Sequence, residues 1–224
     1  MKKLITTLFV LAAISTAAIA ETKLLSVNFA IPFDNINTTT ATTIGNSTTT
    51  TSSTTNYTSI GFGVTGLSMF NKIVGIYTDV EFGFVQSRKT GDTTTNRNGI
   101  YGNNGSQFSM DFLLGPAFRI IETKNIFFSA APVIHLFMNT YSYGSSSYLA
   151  GFFGLGADVS FSFFITKMIG LTAGFDFAYD FLGFGDYRKT SSSATILGVP
   201  TSTTTTYSNI KCTPKLGLTI RFKK

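Results

Sequence analysis

The sequence predicts an all-β fold: an eight-stranded antiparallel transmembrane β-barrel, built as an up-and-down meander over residues 21–224. Three observations carry this expectation. Eight segments alternate polar and apolar side chains with a period of two, the links between them are alternately short and mostly long, and no stretch beyond residue 20 is apolar for the roughly 18 residues a membrane helix needs. The composition agrees, since only 12% of residues are charged while 23 are Phe and 21 are Gly. That mixture suits strands better than helices. The most apolar region, residues 148–183, is interrupted by Gly151, Gly154, Gly156, Asp158, Gly170, Gly174 and Asp176, which argues against a helical span.

The chain begins MKKLITTLFVLAAISTAAIA: two lysines, an apolar run from Leu4 to Ala13, and small residues at Ala18 and Ala20. This is the pattern of a cleaved secretory signal over residues 1–20, with Glu21 as the first mature residue. Cys212 is the single cysteine. It offers neither a lipidation site at the cleavage point nor an internal disulfide. The formal charge of +6 includes Lys2 and Lys3, and the remainder is too mild to indicate a nucleic-acid partner.

The first strand is expected over about Lys23 to Phe33, with Leu25, Val27, Phe29, Ile31 and Phe33 on its apolar face and Ser26, Asn28 and Ala30 on the other. The second, Tyr57 to Phe70, sets Ile60, Phe62 and Val64 outward, and the third, Val74 to Gln86, opposes Val74, Ile76, Val80, Phe82 and Phe84 to Gly75, Tyr77, Asp79, Glu81 and Gly83. In the fourth, Gln107 to Ile120, Phe108, Met110, Phe112 and Leu114 oppose Ser109, Asp111 and Arg119. The fifth, Ile126 to Tyr141, is less regular, with Phe128, Ala130, Pro132, Ile134, Leu136 and Met138 as its outer face. The sixth (Tyr148 to Phe164), seventh (Ile169 to Phe181) and eighth (Ile210 to Phe222) alternate clearly. Each reaches the roughly 9 to 11 residues of a tilted membrane strand.

The short links lie near 69–73, 121–125 and 165–168, and the longer ones cover about 34–56, 87–106, 142–147 and 182–209. Short turns at one end, longer loops at the other and both termini at the short-turn end form the outer-membrane barrel pattern. A weak echo joins NKIVGIYTDVEFGF from Asn71, TKMIGLTAGFDFAY from Thr166 and the turn ETKNIF, each a short turn with a lysine followed by a strand. Two long loops are rich in threonine, NTTTATTIGNSTTTTSSTTN at 37–56 and TSTTTTYSN at 201–209. In this frame they are expected to be mobile extracellular loops, with a sugar-binding or adhesive role as one use.

If the apolar faces meet lipid, the alternate residues meet the interior. There the acids Asp79, Glu81, Asp111, Asp158, Asp176 and Asp180 are set against the bases Arg119, Lys211, Lys215 and Arg221, a salt-bridged filling for a barrel just wide enough to hold side chains. If Asp180 faces Lys211 across the last strand pair, Asp176 automatically faces Lys215. No metal-ligand cluster, phosphate-binding loop or nucleophile elbow stands out, so neither cofactor nor enzymatic activity is expected. His135 is the single histidine, read as an interior hydrogen-bonding residue; with Ser142 or Ser145 it could serve a lipid-modifying enzyme near the outer rim.

The segment KLGLTIRF, residues 215–222, resembles the assembly signal of small eight-stranded outer-membrane barrels such as the membrane domain of outer-membrane protein A and outer-membrane proteins X and W. The matching positions are Lys215, Gly217, Ile220 and Phe222, although the family's aromatic is usually terminal and here Lys223 and Lys224 follow. The resemblance implies recognition by the barrel assembly machinery, an outer-membrane lipid environment and a monomer. Trp is absent, which leaves Tyr57, Tyr141, Tyr143, Tyr148, Tyr179 and Tyr207 to anchor the interfaces. The leading functional expectation is a structural or surface-interactive barrel whose loops meet an extracellular ligand or host surface. A second is a narrow channel for small hydrophobic molecules, motivated by the apolar inner positions Leu113, Phe127, Val133 and Phe137.

Overall fold

The computed structural model describes residues 20–96, 106–143, 146–196 and 199–223. Residues 1–19 of the expected export signal, Ser145 and Lys224 lie outside the described residues. The strands are β1 (Thr22–Ala30), β2 (Phe33–Ile44), β3 (Ser47–Met69), β4 (Val74–Thr90), β5 (Thr93–Asn96), β6 (Ser106–Glu122), β7 (Ile126–Tyr143), β8 (Ser146–Phe164), β9 (Ile169–Gly185), β10 (Thr190–Ile196) and β11 (Val199–Lys223).

Strands β1 and β2 form one wall strand bent at Ile31–Pro32, because a proline has no N–H to give the ladder. Both halves pair with β11 on one side and β3 on the other. The wall then runs β3, β4, β6, β7, β8, β9, β11 and closes on β1, so eight antiparallel strands make a ring with no edge in the membrane. Outward residues are apolar and uncovered by protein: Leu216 is 63% and Leu218 62% exposed, whereas inward Asp79 and Ala30 are fully buried. Such a surface is stable only where lipid replaces water.

Each short turn is tied by its own side chain. Asn71 Oδ1 accepts from the amides of Ile73 and Val74, Thr123 Oγ1 from Asn125 and Ile126, and Thr166 Oγ1 from Met168 and Ile169. This shared device underlies the repeated Asn/Thr–Lys turns in the sequence.

Gly217 in the last strand faces Asn28, and a side chain there would collide with the Asn28 amide oxygen and the Val27 carbonyl. The glycine of the assembly-signal pattern therefore lies on the β11–β1 seam that closes the barrel, at a position with no room for a side chain.

The threonine-rich segments are a correction to the sequence reading. They are regular strands: β2 and β3 pair without interruption from Ile44↔Ser47 to Phe33↔Thr58, β2 pairs β11 from Thr201↔Ile44, and β10 adds to β11. Strand β11 is 25 residues long and β3 is 23. At about 3.3 Å per residue β11 spans roughly 80 Å, far more than the ~25 Å apolar band. The physical reason is that threonine is β-branched and strand-favouring, so low complexity does not by itself mean disorder. Cross-strand hydroxyl contacts add to this: Thr40–Thr205 at 3.2 Å, Thr43–Thr48 at 2.9 Å and Thr39–Ser52 at 3.3 Å. The signal for the hairpin is Gly45–Asn46, a two-residue loop in which Gly45 adopts φ 57°; Gly91–Asp92 repeats it with φ 57°.

Hydrogen exchange of the folded protein in detergent is expected to show the amides of residues 36–43 and 202–208 protected at least tenfold over a random coil. A mobile loop would exchange at the coil rate.

Candidate functional site

The interior is layered along the barrel axis. Toward the short-turn end lies an apolar cluster of Leu24, Leu67, Met69, Leu113, Phe127 and Val133, with Tyr77, Ala117, Ala131 and Phe164, beside a chain of buried hydroxyls from Ser26, Thr219, Thr172 and Ser162. At the long-hairpin end a second layer of Ile36, Phe137 and Phe152 is covered by Tyr57, Tyr187 and Tyr207, with Phe152 and Tyr187 stacked at 4.7 Å. Between them sits a polar network.

Its two cationic centres are on β11. Lys215 Nζ lies 2.6 Å from Asp176, 2.9 Å from Asp79 and 3.5 Å from Asp158, and donates to Tyr77 Oη at 3.0 Å. Lys211 Nζ lies 2.9 Å from Asp111 and 3.5 Å from Asp34, with the Phe137 ring 5.0 Å away. His135 joins the two sides, its Nε2 2.9 Å from Asp111 and its Nδ1 2.7 Å from Asp180. Two carboxylate acceptors match the two N–H groups of an imidazolium. Asn209 Nδ2 donates to Asp180 at 3.0 Å and Asp34 at 3.3 Å, and Thr65 donates to Asp79 at 2.6 Å.

Several expectations need correction. The β9–β11 register is shifted by two residues from the one expected: Lys211 faces Ala178 and Lys215 faces Gly174, while Asp180 faces Asn209 and Asp176 faces Thr213. Small residues opposite the lysines leave room for their stems: Lys215 still pairs with Asp176 on β9, on the diagonal, and also reaches Asp79 on β4 and Asp158 on β8. Asp180 therefore contacts His135 and Asn209 instead of Lys211.

Arg119 and Arg221 are not partners of the interior acids. Arg221 donates to the carbonyls of Lys124 at 2.7 Å and Lys167 at 3.2 Å, over the Phe164 ring; Arg119 donates to those of Lys72 at 2.6 Å and Asn71 at 3.2 Å and pairs with Glu122. Among the described residues, each is the last inward basic position of its strand at the short-turn end, level with turns whose open carbonyls need donors. Glu81 is buried but has no ion-pair partner among the described residues.

Of the other positions, Ile220 and Phe222 point outward and Lys215 inward. Tyr57 and Tyr207 turn inward against the upper apolar layer, so they are not outer-surface anchors, while Tyr179 faces outward and Tyr141 donates to Asp186 at 2.7 Å. The side chains of Tyr143, Tyr148 and Ser142 lie outside the described residues. His135, at 1% exposure, is enclosed in the network. Sequence reading missed Asp34 and Asn209, both placed in a loop by their threonine-rich neighbours; continuing the inward parity of Asn28 and Ala30 past Pro32 would have found Asp34.

Beside Tyr77, Asp158 and Lys215 there is a cavity of about 20 Å³, room for one water. The short-turn end opens into a vestibule of about 1250 Å³ rimmed by Lys72, Arg119, Lys124, Lys167 and Arg221, which shares no lining residue with that cavity. Substituting Lys215→Met strips the cation from three buried aspartates and should destabilise the folded barrel by about 3–5 kcal/mol. Urea unfolding in detergent micelles, followed by circular dichroism, measures this.

No family model matches the chain, and no curated protein matches it. Solved structures do resemble it. The outer membrane protein OprG from Pseudomonas aeruginosa superposes with a TM-score of 0.56 at 11% identity, covering 93% of this chain and 99% of that one. Ail, the attachment invasion locus protein of Yersinia pestis, gives 0.43 at 12% identity over 91% and 99%, and Neisserial surface protein A gives 0.41 at 10% over 82% and 95%. At such identities the likeness speaks to fold alone, and the OprG superposition carries it: the chain has the fold of a small outer-membrane β-barrel.

Proposed function

We propose that the protein is a non-conducting, non-enzymatic outer-membrane barrel, exported by cleavage after Ala20, that holds a rigid threonine-rich sheet outside the cell as an interaction surface. One observation carries this reading: a filled polar interior with an apolar cluster toward each end, beneath a four-stranded sheet of β3, β2, β11 and β10 that continues well past the membrane band. Leu113, Phe127 and Val133 pack into one layer and Phe137 into the other, so the inner apolar positions act as seals in this reading and do not line a route.

The sheet also has open edges. Among the described residues, 47–54 of β3 pair only with β2, because the β4 ladder begins at Thr55, and β10 pairs only with β11. These edges carry Thr and Ser with no charge or proline, leaving backbone donors and acceptors for a ligand. The rows of exposed hydroxyls on the faces supply further donors and acceptors suited to sugars. The assembly machinery meets the chain through the β11 segment containing Lys215, Gly217, Ile220 and Phe222.

In planar bilayers the refolded protein should show no steady current, and stepwise conductance would refute the sealed interior. Replacing residues 38–53 by an Asn-Gly turn should leave a folded barrel but lower the adherence of expressing cells to fixed epithelial monolayers at least several-fold. Unchanged adherence would remove the interaction role.

A further inference from the structure

The interior charges do not balance. Seven carboxylates are buried, those of Asp34, Asp79, Glu81, Asp111, Asp158, Asp176 and Asp180. The cations within ion-pair distance of them are Lys211, Lys215 and, when protonated, His135. Seven against three leaves a net excess of four negative charges, in a volume where an uncompensated carboxylate is far more costly than in water.

The deficit is sharpest at Glu81. The residue is 1% exposed, neither carboxylate oxygen has a hydrogen-bond partner among the described residues, and the residue directly across from it on β6 is a second acid, Asp111. Glu81 is also directed at two further carboxylates. Asp79 precedes it on the inward face of β4, and Asp176 arrives from β9 on the opposite wall; one oxygen from each of the three lies within 4.8 Å of the others. Lys215 contacts Asp79 and Asp176, but not Glu81. Thr213, which faces Asp176 in the β9–β11 ladder, adds a hydroxyl that is buried and unpartnered.

We propose that the barrel interior holds one Ca²⁺ ion between the carboxylates of Asp79, Glu81 and Asp176, with the Thr213 hydroxyl as a neighbouring oxygen. The donors are all oxygen, which selects a hard cation. Calcium–oxygen distances of about 2.3–2.6 Å allow ligand oxygens up to roughly 5 Å apart, whereas Mg²⁺ at about 2.0–2.1 Å requires a tighter set. A three-carboxylate site spanning opposite walls pins β4 to β9, and it neutralises the one buried acid that, among the described residues, neither the lysines nor His135 reach. With both ends of the interior sealed, the ion enters as the barrel closes.

The test uses the full mature chain refolded in detergent with Ca²⁺ or with EGTA, then desalted. Elemental analysis should find one Ca²⁺ per chain, retained against Mg²⁺, and the protein refolded with Ca²⁺ should unfold at a higher temperature than that refolded with EGTA. Glu81→Gln should retain less than a tenth of an equivalent and lose the difference in unfolding temperature, while Asp34→Asn, beside Lys211, should keep both. Wild-type protein without bound Ca²⁺, or Glu81→Gln retaining as much as wild type, overturns the proposal and leaves protons as the neutralising species. Should Glu81→Gln not fold, the wild-type pair decides: equal unfolding temperatures after refolding with Ca²⁺ and with EGTA overturn it.

Discussion

Two ammonium groups on one strand organise the interior. Lys215 and Lys211 project from β11 and contact carboxylates on β2, β4, β6, β8 and β9, and His135 brings in β7. Neither lysine could be buried alone, and the five aspartates they contact could not be buried without them, because a charge taken from water must find its partner within a few ångströms. Since β11 is also the strand that completes the ring against β1, backbone closure and charge neutralisation are completed by the same segment. Ladder hydrogen bonds align the wall, and the lysines fix which acids meet at its centre.

The layers above and below follow from that arrangement. Polar groups of this density need shelter from competing water for their mutual attraction to count, and the apolar layers around Phe127 and Phe152 provide it. Outside the layers the demands change. At the short-turn end, Arg119 and Arg221 donate to the carbonyls of all three turns, so the base of the barrel is tied together by backbone contacts and not by acids. At the other end the wall strands run on into water, where threonine serves both requirements: its methyl and branched Cβ favour the extended chain, and its hydroxyl is solvated or paired across the ladder. The anchored barrel beneath supplies the register that a free threonine-rich hairpin would lack.

Much of this was legible in the residues. Period-two alternation identified the membrane-crossing parts of all eight wall strands and the direction of nearly every side chain, because lipid outside and a packed interior inside impose opposite chemistries on successive residues. Asp79, Asp111, Asp158, Asp176, Lys211 and Lys215 were recognisable as inward groups for that reason. Strand ends were not legible where polarity matched on both faces. Threonine runs carry no alternation, so Ile44–Ser47 looked like the middle of a loop although Gly45–Asn46 marks a tight hairpin.

Thus the sequence by itself determined the fold class, the two faces of each wall strand and the closing role of Lys215 to Phe222, all of which depend on local pattern. Which acid meets which base was decided only by the tertiary structure. The offset between β9 and β11 depends on small residues, Gly174 and Ala178, leaving room for lysine stems, and on neighbours contributed by strands more than a hundred residues away, as Lys215 finds Asp79. The same holds for Arg119 and Arg221, whose inward parity was readable but whose partners are turn carbonyls, and for Glu81, whose lack of a partner is visible only once opposite walls are brought together.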